Sequence, residues 1–500
     1  MSNPLFILAI ASAALAVILI HARGAAHRLP PGPRGDVIGL LGKTSPLELF
    51  EQWREKYGPV ISFSLFKRVV VLNDAQATSA LLDKRGDIFS SRPRLVVAHE
   101  ILSGGMRGIS MPYGARWRTW RKIQAAGMSA SAALMYREHQ TLESTVVLGE
   151  LLADATRLDT ALRLFATVVM LSVSYGRRVR NLDDAMVAGN RQAGDEFQRA
   201  SAPGKYLVEI FPFLLYLPRP LQWFRPALER IRARDTRTYL TFYRAAKERE
   251  DPKPCLATYA RSEEGAGMTE VEVAYAISAP FGAGIDTTVS TMQWALVCAV
   301  LHPDVAQMLQ TELDTVIGRS RLPTFADEPA LPYFKAFIKE VMRFRPVVPL
   351  AVPHATTADS AYAGYDIPAG TTVYGNIEAL MKDPKIFPDP ETFRPERFLG
   401  HDDFALPFGF GRRVCPGMHI GLQSVFIVVA RILWAFALSP ASGAEPRLDA
   451  YVSLGLTRGP APFAVSLRAR DGDVARILEE EGAEAERRLG EWEYEINGAA

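Results

Sequence analysis

This sequence predicts a mainly helical protein with a minor strand component. Three observations point there. An apolar stretch from Thr269 to about Leu301 has the length and composition of one long buried helix. Leu331 to Arg343 reads as a second helix, stopped by Pro346. By contrast, the clearest β-like segment is short, from Tyr362 to Tyr374, and holds the turn Tyr365-Asp366-Ile367-Pro368-Ala369-Gly370.

The elements follow in chain order. Pro4 to Ile20 is an uncharged apolar run of 17 residues. As a helix it spans roughly 26 Å, close to the approximately 27 Å hydrocarbon layer of the endoplasmic reticulum. The short length and Ala25-Ala26 would also suit a cleaved signal peptide. No Lys or Arg precedes the run, however, and Arg23 and Arg28 follow it, which favours an uncleaved anchor with its flank in the cytoplasm. Leu29-Pro30-Pro31-Gly32-Pro33 is a stiff hinge. Tyr113 to Lys122 places Trp117 and Arg121 one helical turn apart, so an indole N–H and a guanidinium can approach one carboxylate. Phe211 to Phe224, rich in Phe, Leu, Tyr, Trp and Pro, is unlike a solvated loop; it suits either contact with lipid or ordinary core packing.

In the long apolar stretch, Thr269 and Glu272 form a capping-box start, and His302-Pro303 is the stop. Ala283-Gly284-Ile285-Asp286-Thr287-Thr288 lies in its middle, and Pro280, Gly282 and Gly284 predict a backbone that is kinked there or has a broken hydrogen bond. Glu340 and Arg343 share a helical face; as an exposed pair they would be worth only about 0.3–0.5 kcal/mol. Asp471 to Glu495 is strongly charged and predicts an exposed helix followed by a loose tail.

The decisive element is the loop Phe408-Gly409-Phe410-Gly411-Arg412-Arg413-Val414-Cys415-Pro416-Gly417, which presents one cysteine ahead of an apolar helical stretch. A lone cysteine is usually a small buried hydrophobe. Here Phe408, Gly411, Arg413, Cys415 and Gly417 fall in one short window, a coincidence expected on the order of once in ten thousand sequences. A thiolate presented in this way suits haem ligation, because it pushes electron density toward bound oxygen. Gly411 and Gly417 would allow close backbone approach and hydrogen bonding to the sulfur.

The loop resembles that of the cytochrome P450 family, Phe-x-x-Gly-x-Arg-x-Cys-x-Gly, at every fixed position. The resemblance runs from about Pro30 to Arg468. It implies one large, mainly α unit with small β-sheets, the cytochrome P450 fold, preceded by a single amino-terminal transmembrane helix. The boundaries expected are an anchor and basic flank at 1–28, a catalytic domain at 29–468 and a charged tail at 469–500. The cofactor implied is haem b, with Cys415 as axial ligand and with Phe408, Gly411, Arg413, Gly417, Trp117, Arg121 and His354 as cofactor-binding residues. Arg413, Trp117, Arg121 and His354 would face the propionates. Thr287 and Asp286 would be catalytic, serving the hydrogen-bond network that handles oxygen and relays protons. Glu340, Arg343 and Arg397, the last from Pro395-Glu396-Arg397-Phe398, would form a structural triad supporting the loop.

The activity implied is that of a haem-thiolate monooxygenase, inserting one oxygen atom from O2 into an apolar organic substrate. Electrons would come from NADPH through a separate reductase, with cytochrome b5 as a further donor, at the endoplasmic reticulum membrane and with the catalytic domain cytoplasmic. Arg116, Arg118, Arg121 and Lys122 are candidates for a basic face that steers an acidic reductase. Segments such as Met342 to Leu350 and Val352-Pro353-His354 look most like fungal P450s of secondary metabolism, including the O-methylsterigmatocystin oxidoreductase-like group. The pocket would include Phe281, Ala283, Val348, Leu350, Ala351 and Leu454 or Leu456, suiting a terpenoid, polyketide or aromatic substrate. Leu399 to Pro407 is short compared with that group.

Composition agrees. There are 500 residues, a net charge of +2 and 48% hydrophobic residues. No nucleic-acid partner is expected. Cys255, Cys298 and Cys415 show neither disulfide nor zinc spacing, which implies a reducing compartment. Two other readings are a haem-thiolate isomerase or dehydratase needing no reductase, and a catalytically silent haem-binding protein. Retention of Asp286-Thr287 argues against the first.

Overall fold

The computed structural model describes residues 28–494 apart from positions 36, 38–39, 41–42, 66, 203, 261–266 and 402–403. The apolar run Pro4–Ile20 lies outside the described residues. The longer helices are α1 (Pro46–Tyr57), α2 (Ala115–Met128), α3 (Arg137–Ala153), α4 (Leu158–Tyr175), α5 (Ala185–Ser201), α6 (Arg225–Glu248), α7 (Glu270–Ile277), α8 (Ala279–Leu301), α9 (Pro303–Ile317), α10 (Pro332–Phe344), α11 (Met418–Ala435) and α12 (Asp473–Leu489).

The strands are few and short. Strands β1 (Val60–Leu65), β2 (Lys67–Leu72), β3 (His354–Ala355) and β6 (Thr372–Gly375) form one four-stranded sheet in the order β1-β2-β6-β3. β2 runs parallel to β6, with Val69 opposite Thr372, and His354 of β3 lies opposite Val373. β4 (Ser360–Tyr362) pairs with β5 (Tyr365–Ile367). β7 (Phe436–Pro440) pairs with β10 (Val465–Ala469), and β8 (Tyr451–Leu454) with β9 (Thr457–Pro460). The β-like stretch from Tyr362 to Tyr374 is thus the end of β4, all of β5 and most of β6.

Helix α8 runs through the body. Val289, Trp294, Leu296 and Cys298 are at most 1% exposed, as expected of a helix that is apolar on all sides. α4 lies close alongside because Gly284 has no side chain: a Cβ there would stand 2.2 Å from the Met170 sulfur. The segments Ala155–Tyr175 and Met418–Ala435 are long and apolar enough to cross a membrane, but both are mostly buried in the body as core helices.

The capping box forms as expected, with Thr269 N–H donating to Glu272 Oε2 at 2.7 Å and Glu272 N–H to Thr269 Oγ1 at 3.3 Å. The single long helix does not. It divides into α7 and α8 at Ser278, ahead of Gly282 and Gly284, which remain helical. Pro280 has no N–H to offer the carbonyl of Ala276. Gln124 Nε2 of α2 donates to that carbonyl instead, at 2.7 Å, so the interruption is stitched to a neighbouring helix.

The Glu340–Arg343 pair is buried, at 0% and 1%, as the resemblance implies. Arg343 grips both carboxylate oxygens, at 2.7 and 2.8 Å, and Arg397 Nε approaches to 3.1 Å. The remaining guanidinium N–H groups bond the carbonyls of Met381, Pro388 and Pro390, so the triad pins the chain leading to the cysteine loop.

The carboxy-terminal segment departs from expectation: it is docked, not loose. α12 buries Val474, Ile477, Leu478, Ala485 and Leu489. Ala485 and Leu489 pack with Leu142 of α3. The spacing leaves the acidic face outward, which is why the charge dominated its sequence.

Candidate functional site

The cysteine loop is held in a tight double turn. Gly409 and Gly411 take φ of +85° and +50°, a region open to glycine at little cost. Cys415 N–H donates to Phe408 O at 2.9 Å and closes the loop before α11 begins at Met418. Gly411 does not serve the sulfur, contrary to expectation. A Cβ there would lie 2.3 Å from the Leu82 carbonyl, and its N–H donates to Asp83 Oδ1 at 2.8 Å. Its role is to seat the loop on the 79–83 segment. Gly417 does serve the sulfur, through its backbone N–H.

Cys415 is exposed by surface area, yet it is deep enough that burial pushes its thiol pKa up. Both facts hold for a sulfur that faces an internal space rather than bulk solvent. The Gly417 N–H and the nearby Arg121 charge act in the opposite direction, favouring thiolate. Helix α8 shows the same feature: in this otherwise buried helix, Gly282 and Ala283 are exposed and Asp286 and Thr287 half-buried.

Around the loop stands a group of buried cations. Arg413 is 9% exposed and donates to the carbonyls of Ser90, Gly108 and Met111 at 2.7, 3.3 and 2.6 Å. Its guanidinium carbon lies 4.3 Å from the Trp117 ring centroid. Arg121 of α2 donates to Val414 O at 2.8 Å. His354 is 2% exposed, and its Nδ1–H donates to Phe89 O at 2.7 Å.

A further cation, not foreseen from the sequence, is Arg92. It donates to the carbonyls of Ile109, Val352 and Pro353 at 3.0, 2.7 and 2.9 Å. No spacing rule marks it, since Ser-Ser-Arg-Pro-Arg carries no periodic signal. Among the described residues, none of Arg92, Arg121 and Arg413 has a carboxylate partner. Burial therefore lowers the pKa of Arg92 to about 9. Burial, with the Arg92 and Arg121 charges, lowers that of Arg413 to about 8. His354 falls to about 3 through burial and the charge of Arg92. Buried charge without a counter-charge is costly. The donor set fits a ligand that brings carboxylates of its own beside a thiolate-bound metal.

Thr287 and Asp286 sit apart from this cluster on α8. Thr287 Oγ1 donates to Ala283 O at 3.1 Å. Asp286 accepts from Arg163 of α4 at 2.9 Å, an ion pair that is 46% and 30% exposed. Of the expected pocket residues, Ala283 is open, whereas Phe281 is 1% exposed and packs into the core. Ala351 is also buried, and Leu350 packs against the sheet cluster. The Leu454 side chain lies outside those described. On the basic face, Arg116 is already paired with Glu272 at 2.6 Å, which leaves Arg118 as the more open charge.

The cytochrome P450 family model matches residues 30–467. The chain is 36% identical to cytochrome P450 monooxygenase 58 of Postia placenta, over 93% of this chain and 94% of the relative. It is 34% identical to cytochrome P450 monooxygenase aneD of Aspergillus aculeatus, over 93% and 92%. A zebra fish cytochrome P450, solved with abiraterone, superposes with a TM-score of 0.70 at 26% identity, covering 85% of this chain and all of that one.

Proposed function

Since this chain belongs to the cytochrome P450 family and is a P450 monooxygenase with haem as its cofactor, we propose that the Cys415 thiolate would hold the haem iron of a membrane-anchored enzyme acting on an apolar organic substrate. The observation that carries the site assignment is Cys415 itself, enclosed yet accessible beside buried cations that have no carboxylate partner among the described residues. When bound, the haem supplies O2 activation and the oxidation of carbon. Arg92, Arg121, Arg413, Trp117 and His354 would hold its propionates, Arg92 being an addition to the set expected from the sequence. The Gly417 N–H would steady the thiolate, and Phe408 would support the loop.

The rest falls to α8, which would be the distal helix of the family. Thr287 can hold or pass a proton at Oγ1, and Asp286 can carry one at its carboxylate, steadied by Arg163. One oxygen atom goes to the substrate and the other leaves as water, with two electrons from NADPH delivered by a separate reductase and, as an auxiliary donor, cytochrome b5. The anchor at 1–28, the catalytic body at 29–468 and a single-pass endoplasmic reticulum location with a cytoplasmic body belong to this reading. Leu207, Tyr216, Leu221 and Trp223 are 55–90% exposed, which supports lipid contact near the 211–224 stretch. An apolar terpenoid, polyketide or aromatic substrate of fungal secondary metabolism fits the fungal relatives and the open Ala283.

Thr287→Ala is expected to leave NADPH consumption running while product per NADPH falls about tenfold or more and peroxide rises. A positioned proton-transfer network contributes roughly 10²–10⁴-fold. Stopped-assay product and peroxide yields with reductase measure it, and unchanged coupling would remove Thr287 from the role.

Arg92→Leu is expected to raise the rate of haem loss to a scavenging protein about tenfold or more, as for removal of a charge-assisted hydrogen bond worth about 1.5–3 kcal/mol. The pH sign follows from its lowered pKa of about 9 in the empty site. A carboxylate partner raises that value, so loading takes up a proton above pH 9 and haem retention should weaken as pH climbs past it. A flat pH dependence of haem loss in the wild type would count against the assignment.

A further inference from the structure

The last described residues, Glu491-Trp492-Glu493-Tyr494, lie in a groove built from three distant parts of the chain. The turn after α4 contributes Arg177, Arg178 and Arg180. Arg178 N–H donates to Trp492 O at 2.9 Å, and its guanidinium holds Glu493 at 2.8 Å and Glu486 at 3.1 Å. Arg180 takes the other oxygen of Glu493 at 2.8 Å. The turn after α6 contributes Arg249, which donates to Glu491 O at 2.7 Å, and Lys253, which pairs with the Glu491 carboxylate at 3.0 Å. Helix α3 contributes His139, whose ring stands 4.5 Å from that of Trp492, and Glu143, which meets Arg178 at 2.7 Å. Tyr494 is flanked by the guanidinium groups of Arg177 and Arg249, at 5.8 and 5.0 Å, and its hydroxyl donates to Tyr175 O at 3.0 Å.

The occupant suits its site, with acidic residues alternating with aromatic ones against basic walls. Trp492 is 9% exposed, so the segment is seated and not merely adjacent. It also lies beyond residues 30–467, the span matched by the family model.

Its partners mark what it does. Arg177 donates to Tyr494 O at 2.9 Å and also holds Asp184 at 3.1 Å; Asp184 caps α5 by accepting from Met186 N–H. The tail therefore grips the start of α5 and, through Arg249 and Lys253, the exit of α6. These are the two roots of a helix pair whose far connection carries the exposed apolar residues Leu207, Tyr216, Leu221 and Trp223. α5 reaches the distal helix through Asn190, which donates to Phe281 O at 3.1 Å, next to the open Gly282 and Ala283.

We propose that Glu491–Tyr494 is a strap, an acidic–aromatic peptide bound in cis, that fixes the start of α5 and the exit of α6 to one another.

The test is hydrogen exchange read by mass spectrometry on the haem-loaded full chain, beside a chain ending at Leu489 and the double variant Trp492→Ala, Glu493→Arg. Exchange in 176–184 and 249–257 is expected to speed up about tenfold or more in both, with 207–223 fast in all three. Equal protection of 176–184 and 249–257 in wild type and variants overturns the strap. Should the shortened chain fail to fold, the double variant alone decides. A carbon monoxide difference spectrum on the same samples separates the two readings: a thiolate-type band with unchanged exchange sinks the strap only, and faster exchange in protein that lacks the band sinks the haem-thiolate assignment only.

Discussion

Replacing Cys415 with alanine is expected to eliminate the thiolate-type Soret band of the reduced carbon monoxide complex, and with it all oxygenation. Three features of the site underlie the size of the effect. The sulfur faces an enclosed space, the Gly417 N–H points at it, and Arg121 lies close enough to favour its anionic form. Alanine leaves each of these without its object, and no other cysteine can substitute, since Cys255 and Cys298 are buried elsewhere in the core. The fold itself should survive, because the loop is closed by the Cys415 backbone N–H and not by its side chain. The spectrum of membrane-expressed protein, with far-ultraviolet dichroism as the folding control, measures it. A normal band in the variant would refute the ligand assignment.

Glu340→Ala is expected to be nearly as damaging for a different reason, and without touching any reacting group. The carboxylate is 0% exposed and accepts from Arg343, Arg397 and the backbone N–H of Arg394. Its loss strands two guanidinium groups, one of them fully buried. Breaking such a pair from one side costs about 3–5 kcal/mol. Whole-domain stabilities are typically about 5–15 kcal/mol, so much of the margin would go. The segment at 388–397 that these residues pin leads toward the cysteine loop, so little haem-loaded protein should accumulate. Haem content per folded protein and the urea midpoint are the readouts; a midpoint and haem content equal to wild type would show that the triad is dispensable.

How much of this was legible in the sequence depends on how local the chemistry is. The cysteine loop and the Glu340–Arg343–Arg397 set were legible because ligation and a buried ion pair demand particular residue types at fixed short spacings. Arg92 and Asp83 were not, because they come from distant chain and their neighbours carry no periodicity. The Thr269 cap was legible as a local motif, and so was a disruption at Pro280, although the helix divides at Ser278, two residues ahead of it. Pro280 was visible, yet its consequence falls on the carbonyl four residues earlier, and the amide of Gln124 that answers it is 152 residues away. Gly411 was assigned to the sulfur because glycine permits close approach without saying to what; the structure supplies the Leu82 carbonyl. In the tail, Val474, Ile477, Leu478, Ala485 and Leu489 do keep a helical period, and that signal was outweighed by charge.

The stitch between Gln124 and Ala276 has a mechanical meaning. Gln124 sits on α2, the same rod that carries Trp117, Arg121 and the outward-facing Arg118, whereas Ala276 lies in the last turn of the first half of the divided central helix. A continuous helix would resist any pull at that point along its whole length. Divided, it has a joint, and the joint is tethered to the rod. A push on α2 from outside reaches the turn preceding Gly282 and Ala283 through the Gln124 amide at one end of α7 and the Arg116–Glu272 pair at the other.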